Sequence, residues 1–397
     1  MSKCKIIISK DAMCKDYLHF YGKRPGQQIT PNLDELVQKG TLFTNYYTAA
    51  PSTVMSFYSM STGKFAHETD FEMYERTHLR EDGDTIFTKA KALGYNSCHI
   101  IWDTMWDVLP QYYDYFRDDV KIHSVCELRE SVGVHKKTDG CLFSDDGKAK
   151  NTLARVEELL KSILNKEENA FIWLHLPHVL SGRACYGADI ELFDQYVGMV
   201  RKHIPDECII ITADHGNMNG LKGKLAYGYD VYDKVACIPL IVPRIEGHAV
   251  CEATVSSVDL YNIVFEGKIP SREFVYCDSA YRAQKHRKLA IIYNNFKYIY
   301  DKKTGIEELY DLKYDPNENF SLISDDLFDV DRKIKIKIRE EYYYPRWEII
   351  PKIKESMRAE KNRIWKNGSI HIIIKSNVKD MIRPLYELFL RFVANCR

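Results

Sequence analysis

Long hydrophobic runs are missing from this 397-residue chain. No window reaches the roughly 18 apolar residues that a membrane-spanning helix needs. The opening "MSKCKIIISKDAMCKD" likewise has too short an apolar run for a secretory signal. A cysteine framework is missing too. The 11 cysteines are odd in number, include no C-x-x-C pair and show no zinc-type or disulfide-type spacing, so they read as reduced thiols. Together these absences lead us to expect a cytoplasmic protein. Nor is there an excess of either charge: Lys+Arg and Asp+Glu both total 56, which argues against a nucleic-acid partner. No internal repeat or low-complexity tract interrupts the chain.

What is present is enough apolar content, 45%, for one large domain with an appendage. The runs "KIIIS" at 5–9, "AFIWLHL" at 170–176 and "CIIIT" at 208–212 have the texture of strands buried on both faces. Helical patterns lie between them, such as "PNLDELVQKG" at 31–40, which starts with Pro and stops at Gly, and "NTLARVEELLKSILNK" at 151–166. This alternation predicts an α/β fold with a mainly parallel central sheet flanked by helices. After "VSSVDLYNIVF" at 255–265 the texture changes to aromatic strand-like runs, with a turn at Lys303-Thr304-Gly305, and predicts a small antiparallel subdomain. From about 326 the chain becomes basic and helical: residues 331–397 hold seventeen Lys/Arg against eight Asp/Glu, an excess of nine. The expected organisation is therefore a catalytic α/β unit at 1–250, an antiparallel subdomain at 251–325 and a basic extension at 326–397.

The chemistry collects at strand ends. Asp11 follows "KIIIS", and Asp214 with His215 follows "CIIIT" in "CIIITADHGN". Asp-His-Gly alone could be a solvated turn, with Gly216 serving the bend. Two strands of a parallel sheet, however, would bring these residues to the same edge, where such sheets bind ligands. Two carboxylates and an imidazole suit a divalent cation such as Mg²⁺, Mn²⁺, Ca²⁺ or Zn²⁺.

These residues belong to a series of motifs that resembles the sulfatase branch of the alkaline phosphatase superfamily. The series runs through "DAMCKDYLHFYG", "TPNLDELVQKGTLFTNYY", "TADHGN", "VYDKVACIPLIVP" and "NFKYIYDKKTGIEELYDLKYDPNENFSL", and covers residues 1 to about 323. Family sulfatases carry Cys or Ser, oxidised to formylglycine, nine residues before a Thr-Gly pair. Here "APSTVMSFYSMSTGKF" places Thr53 in that slot, with Met55 in place of Pro, Ser56 retained and Phe57 in place of Arg. Threonine cannot become formylglycine by that oxidation. A metal-activated Thr nucleophile instead fits the phosphodiesterases and the phosphoethanolamine and phosphoglycerol transferases of the superfamily. The competing reading of Thr53 is a helix cap.

The resemblance implies a metal set of Asp11, Thr53, Asp214 and His215. It also implies one ion, because "WLHLPHVLSGR" lacks the carboxylate of the Asp-x-x-x-His pair found in two-metal members. His178 stands where relatives place a substrate-facing histidine able to protonate a leaving oxygen, whereas His175 reads more readily as a core residue. Lys64, His67, Lys222 and Lys224 are the candidate substrate-binding residues. Tyr227 and Gly228 stand where the family often has His or Lys.

The expected function is hydrolysis or transfer of a phosphate ester: a monoester, a diester or a phospho-substituted glycan, small or lipid-linked. The alternatives are sulfate-ester cleavage without formylglycine and a silent scaffold. Loops 66–84, 103–150 and 179–189, which would set specificity, show no motif. In the tail, Leu385, Leu388, Phe389 and Phe392 form an apolar stripe beside Lys379, Arg383, Arg391 and Arg397. That stripe suits packing on the body or a second subunit, or peripheral docking on an anionic membrane.

Overall fold

The computed structural model describes residues 3–22, 29–68, 84–101, 119–125, 146–177, 186–224, 227–279, 287–323 and 348–367. Eight strands form the large sheet: β1 Cys4–Lys10, β2 Thr41–Tyr47, β3 Asn96–Ile101, β4 Lys121–Ser124, β5 Ala170–Leu176, β6 Ile209–Ala213, β7 Leu240–Val242 and β8 Val250–Ser256. Their spatial order is β4-β3-β5-β1-β6-β7-β2-β8. Only the pairings of β7, with β6 and with β2, are antiparallel.

The central strands are apolar on both faces because helices cover both. Ile6, Ile7 and Ile8 of β1 and every residue of β5 are buried. Such burial selects continuous apolar runs in place of alternation. Between the strands lie helices Pro31–Lys39, Thr53–Thr62, Ile86–Ala92, Asp146–Lys166, Tyr186–Arg201 and Leu260–Glu266.

The second sheet has β9 Val275–Asp278, β10 Lys288–Tyr293, β11 Phe296–Asp301 and β12 Glu307–Asp311, in the order β12-β11-β10-β9 and antiparallel throughout. The expected turn at Lys303-Thr304-Gly305 joins β11 to β12, with Gly305 at φ 73°. Alternate residues of β10 serve different layers, as the two-residue period of a strand requires. Leu289 and Ile291 pack with Ile350, Met357 and Ile364 of the helix Ile349–Asn367. Ala290 and Ile292 pack with Tyr47, Val235 and Cys237 of the large unit. The step from one sheet to the other falls between Glu266 and Val275. The apolar stripe at 385–392 lies outside the described residues. Among those described, no helix is long and apolar enough to cross a membrane, and the seven cysteines are free thiols.

Candidate active site

β1 pairs in parallel with β6, Ser9 opposite Thr212 and Lys10 opposite Ala213. The next residue on each chain is a ligand candidate, so Asp11 and Asp214 leave the sheet side by side. Asp11 is held by its N–H, which donates to the Leu176 carbonyl at 2.9 Å. Asp214 Oδ1 accepts from the backbone N–H groups of Ala12 at 3.0 Å and His215 at 2.7 Å. Ala12 adopts the left-handed region, φ 57°, to present that N–H. Cys14 joins the two ligand loops: its thiol donates to the Asn217 carbonyl at 3.0 Å and accepts from the Asn217 N–H at 3.1 Å.

His215 Nδ1 lies 2.8 Å from the Gly216 carbonyl. A carbonyl only accepts, so Nδ1 carries the proton and Nε2 keeps its lone pair. That atom lies 3.4 Å from Asp214 Oδ2, 3.7 Å from Asp11 Oδ1 and 3.1 Å from Thr53 Oγ1. Thr53 is the first residue of its helix and only 7% exposed. The cap position belongs to Ser52, whose side chain makes no capping bond. Ser56, one turn on, donates to the Asp214 carbonyl at 2.6 Å and pins this helix to the end of β6.

The donor set fits a divalent cation. One ligand atom each from Asp11, Asp214 and His215 can be chosen so that all three lie within 4.8 Å of one another. Asp11 Oδ1 and Asp214 Oδ2 are buried and accept no hydrogen bond. Burial, and then the neighbouring Asp214 charge, push the Asp11 carboxyl above its ordinary range. Buried acceptors without donors are costly, and a cation removes that cost.

Phe57, in the slot of the family's Arg, turns into the core. Its ring stacks on Trp173 at 5.0 Å and His99 at 5.6 Å, and meets His175 edge-on at 4.6 Å. His175 Nδ1 is 2.9 Å from Ser9 Oγ, which also accepts from Trp173 Nε1–H at 2.8 Å. Burial lowers the His175 pKa to about 3. Sequence reasoning missed Ser9, Cys14 and Trp173, because their roles depend on partners more than 160 residues away.

Three of the remaining sequence candidates, Lys222, Lys224 and His67, have partners of their own. Lys222 donates to the Glu318 carbonyl at 2.5 Å and lies over the Tyr232 ring. Lys224 pairs with Asp230 at 2.6 Å. His67 stacks on Phe65 and meets Tyr276 edge-on, and burial lowers its pKa. Lys64 is half-buried just past the helix Thr53–Thr62, and His178 lies outside the described residues.

A sulfatase family model matches residues 5–266. The chain belongs to the sulfatase family. Its motifs and fold place it in the sulfatase-like branch of the alkaline phosphatase superfamily. An uncharacterized sulfatase of Escherichia coli K12, YidJ, is 24% identical to this sulfatase-family chain over 241 residues, 50% of this chain and 48% of that protein. The chain thus spans about half the length of the curated relative it matches.

Two solved structures share the fold over nearly their whole length. A 2-O GAG sulfatase superposes with TM-score 0.62 at 17% identity, covering 90% of this chain and 94% of that one. A phosphonate monoester hydrolase from Silicibacter pomeroyi gives TM-score 0.62 at 16% identity, covering 86% and 95%.

Proposed function

We propose that this chain is a metal-dependent hydrolase or transferase of phosphate esters that uses Thr53 as its nucleophile. One observation carries the reading: Thr53 Oγ1 sits 3.1 Å from His215 Nε2, beside the carboxylates of Asp11 and Asp214. A divalent ion held by Asp11, Thr53, Asp214 and His215 would supply Lewis acidity, lowering the hydroxyl pKa and drawing charge from the ester.

The chain's own residues do the rest. Asp11 and Asp214 offer carboxylate oxygens to the ion, and the Nδ1–H bond to Gly216 keeps His215 Nε2 free to ligate. The positive end of the helix Thr53–Thr62 faces the nucleophilic oxygen and favours its anionic form. Attack forms the Thr53 Oγ1–P bond and breaks the bond from phosphorus to the leaving oxygen, which His178 protonates. Water or an acceptor alcohol then releases Thr53. Lys64 and His67, nearest in sequence to the nucleophile helix, contact the rest of the substrate, a small-molecule, glycan or lipid-linked ester.

The likeness to a phosphonate monoester hydrolase supports chemistry at phosphorus. The likeness to a 2-O GAG sulfatase supports a second reading, cleavage of a glycan sulfate ester. Matched phosphate and sulfate esters of one alcohol separate the two by relative turnover. Thr53→Ala should lower turnover by several orders of magnitude with the fold intact, and Thr53→Ser should keep part of it. Mass spectra of a quenched reaction should show the phosphoryl adduct on Thr53. Full activity in the alanine variant would end the proposal.

A further inference from the structure

Tyr227 lies across the metal-ligand candidate His215, ring centroids 4.3 Å apart and planes tilted by 35°. Among the described residues, the only hydrogen bond of the His215 ring beyond the ligand set is to its own neighbour, Gly216. A bond to the adjacent residue restrains a ring weakly, so a flat surface against its face adds a constraint that the backbone does not.

The loop that carries Tyr227 is anchored at both feet. Lys224 and Asp230, three residues to either side, are joined by an ion pair at 2.6 Å. Asp230 Oδ1 also meets Lys288, the first residue of β10, at 2.6 Å. Burial opposes ionisation of Asp230, but the two lysines together hold its carboxyl below the ordinary range, so the clamp is charged at neutral pH. The ion pairs therefore tie the small sheet, through Lys288, to Asp230, and the short backbone stretch from Asp230 back to Tyr227 carries the ring that lies on His215. Lys224 and Lys288, which might pass for spare cations, are the fastenings of this loop.

We propose that Tyr227 is a positioning residue for the cation: its ring, fixed by the Lys224–Asp230–Lys288 clamp, holds the His215 imidazole so that Nε2 faces Asp11 and Asp214. The inference rests on reading those three residues as the cation site.

The test is Mn²⁺ titration by calorimetry on chelator-stripped full-length protein without substrate, alongside melting of each metal-free variant. Tyr227→Ala should weaken Mn²⁺ binding about 10- to 100-fold, the cost typical of a support behind a ligand. Tyr227→Phe keeps the ring and should bind as the parent does. Lys288→Met, in the other sheet, should weaken binding in the same direction by less. Parent-like affinity in Tyr227→Ala, with or without a lower melting temperature, overturns the proposal, as does equal loss in the Phe and Ala variants. A parent protein that binds no Mn²⁺ overturns the cation site itself, and this inference with it.

Discussion

His175 is buried beneath the helix Thr53–Thr62, with Ser9 Oγ at 2.9 Å from Nδ1 and the Phe57 ring packed edge-on against its own. Burial lowers its pKa from 6.5 to about 3, and lowers that of His99 in the same aromatic stack. Between those two pH values the unfolded chain binds a proton that folded His175 refuses, so stability rises with pH. The contribution is complete above pH 6.5 and is lost as pH falls toward 3. We predict that the metal-free melting temperature drops across this window and that His175→Gln removes part of the drop. Parallel curves for the two proteins would contradict the assignment. Gly216 shows a different local demand. It was a candidate for a sharp bend, yet it is not among the residues of positive φ. Its need for glycine is space: a Cβ there would stand 2.2 Å from the Lys234 carbonyl oxygen.

The helix Pro31–Lys39 has both signals its sequence promised, Pro at its start and Gly40 at its end. Its cap comes from elsewhere. Thr30, at the cap position, makes no capping bond and donates its hydroxyl to Asp34. Asp194, in the helix Tyr186–Arg201, accepts instead from the N–H of Leu33 at 2.8 Å, the N–H of Asn32 at 3.3 Å and Asn32 Nδ2 at 2.8 Å. The two helices approach closely at Gly198, where a Cβ would come within 2.6 Å of the Asn32 side chain. Asp194→Ala leaves those N–H groups unpaired and should cost about 1–3 kcal/mol in chemical denaturation. An unchanged midpoint would show that water replaces the carboxylate at no cost. No local pattern announces such a cap, since donor and acceptor are some 160 residues apart.

The two sheets of the molecule meet at a buried ion triad. Lys297 of β11 lies 2.7 Å from Asp233 of the large unit and 2.8 Å from Glu318 of the segment after β12. Glu318 Oε2 also accepts from the Asp233 N–H at 2.7 Å, which ties that segment to the large unit. Burial, and secondarily Asp233, raise the Glu318 pKa, with Lys297 opposing. Removing Lys297 leaves the Asp233 carboxyl group and the buried Glu318 carboxyl group without the cation that lies between them. We therefore predict that Lys297→Met destabilises the protein by about 3–5 kcal/mol, measured by denaturant unfolding. A loss under about 1 kcal/mol, the scale of an exposed pair, would show that the seam does not depend on this lysine.

By itself, the sequence determined the class of fold and which acidic and histidine residues stand at the ends of neighbouring strands. Continuous apolar runs encode strands buried on both faces, helical spacing encodes their covers, and Asp11, Asp214 and His215 stand where such strands end. Thr53 was legible only through the resemblance to the sulfatase pattern, whose Cys or Ser stands nine residues before the Thr-Gly pair, here Thr62-Gly63. Only the tertiary structure decided which strand borders which, that β7 runs against its neighbours, and that Phe57 turns inward on Trp173. It also decided that Lys224 fastens to Asp230 and that Tyr227 covers His215. The physical reason is that periodicity records how deeply a residue is buried, whereas a hydrogen bond, ion pair or ring contact is specified by two residues whose separation along the chain carries no local signal.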